Sequence, residues 1–329
     1  MSSTATTTLL PATVAPSGET VPPQPERVKV ALCQLEVGQD KAANVAAARR
    51  AVRDAVQRSG AQLVILPEMW NCPYSNDSFA PYSERVPDVG ARVGDVSEAE
   101  SPSVAMMARE AAALGVVLVG GSVPERVAAA DGGEQPQSNP PRLHNTCCVF
   151  ERDGTLVAKH RKTHLFDIDI PGEMTFRESD TLTPGGSATL VDTSAGRLGV
   201  GVCYDLRFPE LALLYARRGA SLLVYPGAFN AVTGPLHWEL LARARAVDAQ
   251  CYVAACSPSR VPGAGYQAWG HSCVVGPFAE VVAAARGDAP ETVVAELEYA
   301  QVGERRRNLP LWAQRRGDLY ELVDKGEGK

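Results

Sequence analysis

The feature that most constrains this chain is that part of it is written twice. Gly60-Ala61-Gln62-Leu63-Val64-Ile65-Leu66-Pro67-Glu68-Met69-Trp70-Asn71 stands beside Gly219-Ala220-Ser221-Leu222-Leu223-Val224-Tyr225-Pro226-Gly227-Ala228-Phe229-Asn230. In each copy a glycine ends a helical pattern, a short run of apolar residues follows, and a proline breaks the run. The surroundings repeat as well. Residues 28–34, 63–68 and 116–121 read as strands, separated by helical patterns over 42–59 and 103–114. Residues 198–203, 222–226 and 251–256 read as strands in the same order, with helical patterns over 209–218 and 237–249. A hairpin closes each half: 145–150 with 155–162 around Asp153-Gly154, and 272–276 with 280–284 around Pro277-Phe278.

Self-similarity on this scale is a statement about fold. Each half supplies a sheet with helices on one side, and the two bare sheet faces have to cover each other. The expectation is a single α/β domain, an αββα four-layer sandwich over residues 27–300. Functional groups are expected at the carboxyl ends of the strands, where the sheets meet. Outside the domain, residues 1–26 are rich in Thr, Ser, Pro and Ala and read as a disordered tail. Residues 127–142 read as a polar, glycine- and proline-rich loop, and 301–329 as a C-terminal tail at a subunit interface. The run Arg305-Arg306-Arg307 reads as a solvated or subunit-contact face.

Composition narrows the function classes. A net charge of −6 argues against a general nucleic-acid binder, and no apolar run reaches the length of a membrane span. The eight cysteines follow neither a disulfide nor a zinc spacing, which fits a reducing, cytoplasmic setting. The extension lacks the arginines of a transit peptide.

Three residues fall at corresponding corners of the repeat. Cys203 lies where a strand hands over to a helix that opens with Pro209 and Glu210. By itself it reads first as a buried structural cysteine, the commonest fate of a free Cys, but that setting exposes a thiol to backbone N–H groups and would lower its pKa, and the rest of the chain favours the reactive reading. Glu68 follows the first Leu-Pro strand end, and its echo is Gly227, so the backbone does not demand a carboxylate there. Lys162 ends the first hairpin in Lys159-His160-Arg161-Lys162-Thr163-His164. His160, Lys162 and His164 alternate, so on a strand they share a face, and no metal site is expected from them. Together a carboxylate, an ammonium and a thiol suffice for amide hydrolysis. The carboxylate moves the proton, the thiolate forms a thioester, and Lys162 with the Tyr204 N–H holds the oxyanion.

Leu66-Pro67-Glu68, His160-Arg161-Lys162-Thr163-His164 and Gly201-Val202-Cys203-Tyr204-Asp205-Leu206-Arg207-Phe208-Pro209-Glu210 resemble the three signature motifs of the nitrilase superfamily. The resemblance runs from about Lys29 to Tyr320. It implies the αββα fold, a homodimer paired across the catalytic edge, and cofactor-free hydrolysis by a Glu-Lys-Cys triad of Glu68, Lys162 and Cys203. It also implies that Glu178 is a second glutamate supporting the lysine and the attacking water. Three further stretches, 164–172, 225–230 and 233–241, look most like the omega-amidase branch, whose members hydrolyse the terminal amide of short dicarboxylic monoamides. Such a substrate needs donors for its far carboxylate, and Arg207 and Tyr74 are the candidates, with Phe229 closing the wall. An ion pair of Arg207 with Asp205 or Glu210, and core packing of Tyr74, are the structural alternatives. The rival activities are N-carbamoyl amine or acid hydrolysis, deaminated glutathione amidase activity, and a non-catalytic scaffold. Nitrile hydrolysis fits least.

Overall fold

The computed structural model describes residues 8–127, 141–172 and 174–326. The first half runs β1 (Arg27–Gln34), α1 (Lys41–Ser59), β2 (Leu63–Ile65), α2 (Asn76–Tyr82), α3 (Pro102–Leu114), β3 (Val117–Val119), β4 (Val123–Val127), β5 (Arg142–Phe150) and β6 (Leu156–Arg161). A small hairpin follows, β7 (Asp167–Ile170) and β8 (Met174–Arg177). The second half runs β9 (Thr189–Thr193), β10 (Gly196–Val200), α4 (Pro209–Arg217), β11 (Leu222–Pro226), α5 (Gly234–Ala249), β12 (Tyr252–Cys256), β13 (Cys273–Val275), β14 (Val281–Ala284) and β15 (Glu291–Glu298). Helices α6 (Tyr299–Asn308) and α7 (Leu311–Gln314) end the chain's regular structure.

The two sheets repeat one topology. β1, β2 and β3 are mutually parallel and are followed by the antiparallel pair β5–β6. β10, β11 and β12 are parallel in turn and are followed by the antiparallel pair β13–β14. Among the described residues the sheets hold seven and six strands. The seventh strand of the first sheet, β15, is contributed by the second half. It pairs antiparallel to β1 along its whole length, from Glu291 opposite Gln34 to Glu298 opposite Arg27, and so ties the halves together.

Alternation along β1 explains the layers. Val28, Val30 and Leu32 face the other sheet and share a core with Leu198, Val200 and Val224. Ala31 and Cys33 face the other way, onto Val45, Val52 and Val104 of α1 and α3. Helix α1 starts at Asp40, whose carboxylate accepts from the N–H groups of Ala42 and Ala43, and stops at Gly60 in the left-handed region. Where the sheets meet, the Cys256 thiol donates to Ile65 O at 3.4 Å.

The N-terminal segment corrects the composition reading. Residues 8–26 are not a disordered tail: Leu9–Leu10 pairs with Gln24–Pro25 and Thr13–Val14 with Thr20–Val21. Ala15 and Val21 are buried against Gly219, where an added Cβ would stand 2.4 Å from Val21 Cγ2. Arg197 fastens this strap by donating to Thr20 O, and its own N–H donates to Gln24. Two-residue ladders carry too little periodicity to be read in a Thr- and Pro-rich stretch, and residues 1–7 lie outside the described residues. So does most of the 127–142 loop. Arg306 is a second correction, since it turns inward and donates to Ala220 O at 2.8 Å rather than forming a solvated face. No helix among the described residues is long and apolar enough to cross a membrane.

Candidate active site

Glu68 sits on the loop that leaves β2. That loop is held from β3's side: Ser122 N donates to Pro67 O at 3.1 Å, and Met69 N donates to Ser122 Oγ at 3.0 Å. Met69 has φ +48°, a turn that swings the Glu68 side chain inward, and the backbone of Gly121 approaches Pro67 O so closely that a Cβ there would lie 2.1 Å away. Lys162 follows β6, its N–H donating to Asn145 O at 2.8 Å. Glu178 opens a 3-10 turn after β8 and accepts from Phe166 N at 2.7 Å.

These side chains converge from three directions. The Lys162 ammonium, fully buried, lies 3.0 Å from Glu68 Oε1 and 2.8 Å from Glu178 Oε2. Asn145 Nδ2 donates to Glu68 Oε1 at 2.8 Å, and Ala228 N donates to Glu68 Oε2 at the same distance. The Ala228 N–H also faces Cys203 Sγ at 3.4 Å, so a single donor spans carboxylate and thiol.

Cys203 starts a 3-10 turn, Cys203–Arg207, between β10 and α4, with φ +49°. Such a φ in a non-glycine residue is uncommon and is kept by its surroundings. Here Asp205 does the holding. Fully buried, it accepts from Val202 N at 2.9 Å, from His160 Nε2 at 3.1 Å, and from His164 Nδ1 at 2.7 Å. His164 also stacks on Phe208, with ring centroids 3.6 Å apart. His160 and His164 thus serve the turn that carries the thiol, while Lys162 between them goes to the two glutamates.

The electrostatics correct one expectation. Cys203 has its pKa raised well above the ordinary thiol value, by burial first and then by the Glu68 carboxylate. The helix-start setting does not win, because a charged thiolate here would be both dry and beside an anion. Burial likewise raises Glu68, against the attraction of Lys162, and Glu178's charge adds to the rise. For Lys162 burial disfavours the ammonium, but the two glutamates outweigh it and the group is held protonated. Asp205 moves the opposite way from Glu68. Its burial is outweighed by hydrogen bonds from His160 and His164, and it stays ionised.

The family model for carbon-nitrogen hydrolases matches residues 29–307. The chain belongs to the carbon-nitrogen hydrolase family. This hydrolase is 54% identical over 310 residues to the chloroplastic omega-amidase of Arabidopsis thaliana, covering 94% of this chain and 78% of that protein. It is 47% identical over 297 residues to the omega-amidase NIT2 of Bos taurus, covering 90% of this chain and 98% of that one. Among solved structures, Saccharomyces cerevisiae Nit3, a member of branch 10 of the nitrilase superfamily, superposes with a TM-score of 0.76 at 43% identity, covering 89% of this chain and 98% of Nit3. The C. elegans NitFhit protein does so with 0.74 at 31% identity, covering 91% and 67%.

The hydrolase's cleft reaches the site from the side of α2. Tyr74, Phe176 and Tyr266 line it together with Glu68, and beyond Ala228 a narrow cavity is walled by Phe166, Cys203, Tyr204, Arg207, Phe229 and Tyr266. Arg207 makes no ion pair with Asp205 or Glu210. Asp205 is committed to the two histidines, and among the described residues no carboxylate pairs with the guanidinium, which lies 4.6 Å from the centre of the Phe229 ring. Tyr74 lines the cleft, and its hydroxyl also donates to Glu178 Oε1 at 3.0 Å and accepts from Lys162 Nζ at 3.4 Å, so it braces the lysine as well. Phe229 is buried in the wall, and the Tyr204 N–H lies in the first turn of its 3-10 segment, where the helix offers no acceptor.

Asn145, Ala228 and Tyr266 escaped the sequence reading. Asn145 had a weak signal, an amide just ahead of the apolar run Cys147-Cys148-Val149-Phe150 that ends its strand. Ala228 had one too, since the internal echo sets it beside Gly227 opposite Glu68-Met69. Tyr266, which hydrogen-bonds Ala228 O, lies on a long connection without periodicity and had none.

Proposed function

We propose that this protein is an omega-amidase that hydrolyses the terminal amide of dicarboxylic monoamides such as 2-oxoglutaramate and 2-oxosuccinamate. The observation that carries the reading is Arg207, a partly buried cation that pairs with no carboxylate among the described residues, in the wall of the cavity that holds Cys203. A guanidinium so placed is suited to a substrate carboxylate. The omega-amidase names of the relatives point the same way.

In this reading Cys203 is the nucleophile and Glu68 the proton carrier. Glu68 takes the thiol proton as Sγ bonds to the amide carbon, and the oxyanion that forms is held by the Lys162 ammonium and the Tyr204 N–H. Glu68 then returns the proton to the amide nitrogen, the C–N bond breaks, and ammonia leaves a thioester. Water attacks the thioester, giving its proton to Glu68, which passes it to the departing sulfur. Glu178, through Lys162 and Tyr74, positions the ammonium. No cofactor or metal takes part in this scheme.

Ammonia release from a panel tests it: 2-oxoglutaramate, succinamate, an N-carbamoyl amine, an N-carbamoyl amino acid and deaminated glutathione. Rapid turnover of the first two is expected, falling at least about 10⁴-fold in Cys203→Ala. Preference for a carbamoyl compound or the glutathione derivative would overturn the substrate class and keep the triad. Silence from the folded protein across the panel would favour a scaffold.

The chain is further proposed to pair as a homodimer, with its C-terminal segment near the contact. Supporting this, α5 presents Leu236, Leu240 and Val247 outward, 65%, 60% and 43% exposed, and Leu319 and Tyr320 are exposed too. Sedimentation at twice the chain mass is expected, and at the chain mass for Leu240→Glu. A monomeric wild type at micromolar concentration would sink the proposal. All eight cysteines are unpaired, which supports a reducing compartment, the cytoplasm or an organelle.

A further inference from the structure

We infer that His237 is a positioning residue that fixes the Arg207 guanidinium for a substrate carboxylate without neutralising it. The inference rests on the proposed role of Arg207. His237 stands in the first turn of α5, half-buried, and Arg207 Nη1 donates to its Nδ1 at 3.2 Å. A guanidinium has donors only, so Nδ1 is the acceptor and the imidazole proton sits on Nε2. The partner of the arginine is therefore a neutral ring.

The choice of partner matters chemically. A long, flexible arginine has to be held in one conformation if it is to bind a ligand without losing rotamer freedom at that moment. A carboxylate would hold it well, but would also cancel the charge that attracts the substrate. A neutral imidazole supplies the tether and leaves the charge standing. The rings of Phe229 and Tyr204, 4.6 and 5.5 Å from the guanidinium carbon, restrict it further without adding negative charge.

Helix α5 grips the same residue at its other end. Arg245, two turns further along, donates from Nε to Leu206 O at 3.0 Å and from Nη2 to Arg207 O at 3.1 Å. The helix cannot slide, because Trp238, next to His237, is buried and donates to His271 O at 2.8 Å. Arg207 is thus held at its carbonyl by Arg245 and at its guanidinium by His237. Both come from Thr233–Ala249, part of which resembles the omega-amidase branch with no role attached to it.

The test is steady-state kinetics of the full chain with succinamate and with butyramide, which carries a methyl group where succinamate has its carboxylate. The variants are His237→Ala, His237→Asn, His237→Phe and Arg207→Ala. The ratio of the two kcat/KM values is expected to fall about tenfold in His237→Ala, chiefly through the KM for succinamate. It is expected to recover to within about threefold of wild type in His237→Asn, whose Oδ1 can accept in place of Nδ1. His237→Phe keeps the ring volume, lacks the acceptor, and should match Ala. It decides the matter where Ala does not fold. An unchanged ratio in the Ala or Phe variant, or an Asn variant no better than these, overturns the inference. If Arg207→Ala leaves the ratio standing, the role of Arg207 itself falls. If it lowers the ratio and the His237 variants do not, only the inference falls.

Discussion

After β2 the chain carries Glu68; at the matching place after β11 it carries Gly227. The strands, the proline and the position at the carboxyl edge are the same, yet one loop delivers a carboxylate and the other must deliver nothing. The reason is on the facing side. A Cβ on Gly227 would lie 3.1 Å from Cys203 Cα and 2.9 Å from the Trp238 ring. Glu68, in contrast, points into a space bounded by Lys162, Asn145 and the Ala228 N–H. A duplicated frame therefore yields one site, not two. The first copy gives the carboxylate, and the second gives the thiol, an N–H and the room for both.

Removing the distinctive group on the first side should have the largest effect. Glu68→Gln keeps the shape and loses the proton carrier, so kcat for amide hydrolysis should drop about 10³-fold while circular dichroism still reports a folded protein. Activity within tenfold of wild type would mean the carboxylate is not what distinguishes the loops. The reciprocal change comes next. Gly227→Ala should displace Cys203, lowering kcat about 10²-fold and stability by about 1–3 kcal/mol in chemical denaturation. A fully active Gly227→Ala would break the comparison outright, since close approach would then not explain the glycine.

The smallest effect concerns pH. Burial, with the charge of Glu178, raises the Glu68 pKa above 4.5. Its working form as first acceptor is ionised, so kcat/KM should fall as pH is lowered through a value above the usual carboxylate range. Asp205, shifted the other way by its two histidines, does not titrate in that window. A pH–rate profile with its acid limb at or below 4.5 would contradict the shift at Glu68.

Much of this was legible in the sequence because it is periodic or local. The echo of 60–71 in 219–230 carried the two sheets, and the short spacing of His160, Lys162 and His164 at the end of β6 brought them to the same site. What escaped depends on contacts distant in sequence. The second half's β15 adds to the first half's sheet, which no local pattern announces. The Cys203 thiol is raised, not lowered, because desolvation and Glu68, 135 positions earlier by number (203 − 68), outweigh the turn it sits on. That Tyr74 also braces the lysine follows from Glu178 lying within reach of its hydroxyl, and the N-terminal strap is ordered by Arg197 and Gly219 rather than by its own composition.

The raised thiol has a consequence for the enzyme's lifetime. Peroxides and electrophiles react with thiolates, and every cysteine here is buried and unpaired, with Cys33, Cys251 and Cys273 pushed up to about 12. Cys203, buried and likewise raised, shares with them a thiol held in the less reactive protonated form. Under the proposed mechanism its reactivity would be released one turnover at a time, as Glu68 takes the proton in the presence of an amide, and the sulfur would be spared chemical wear between turnovers.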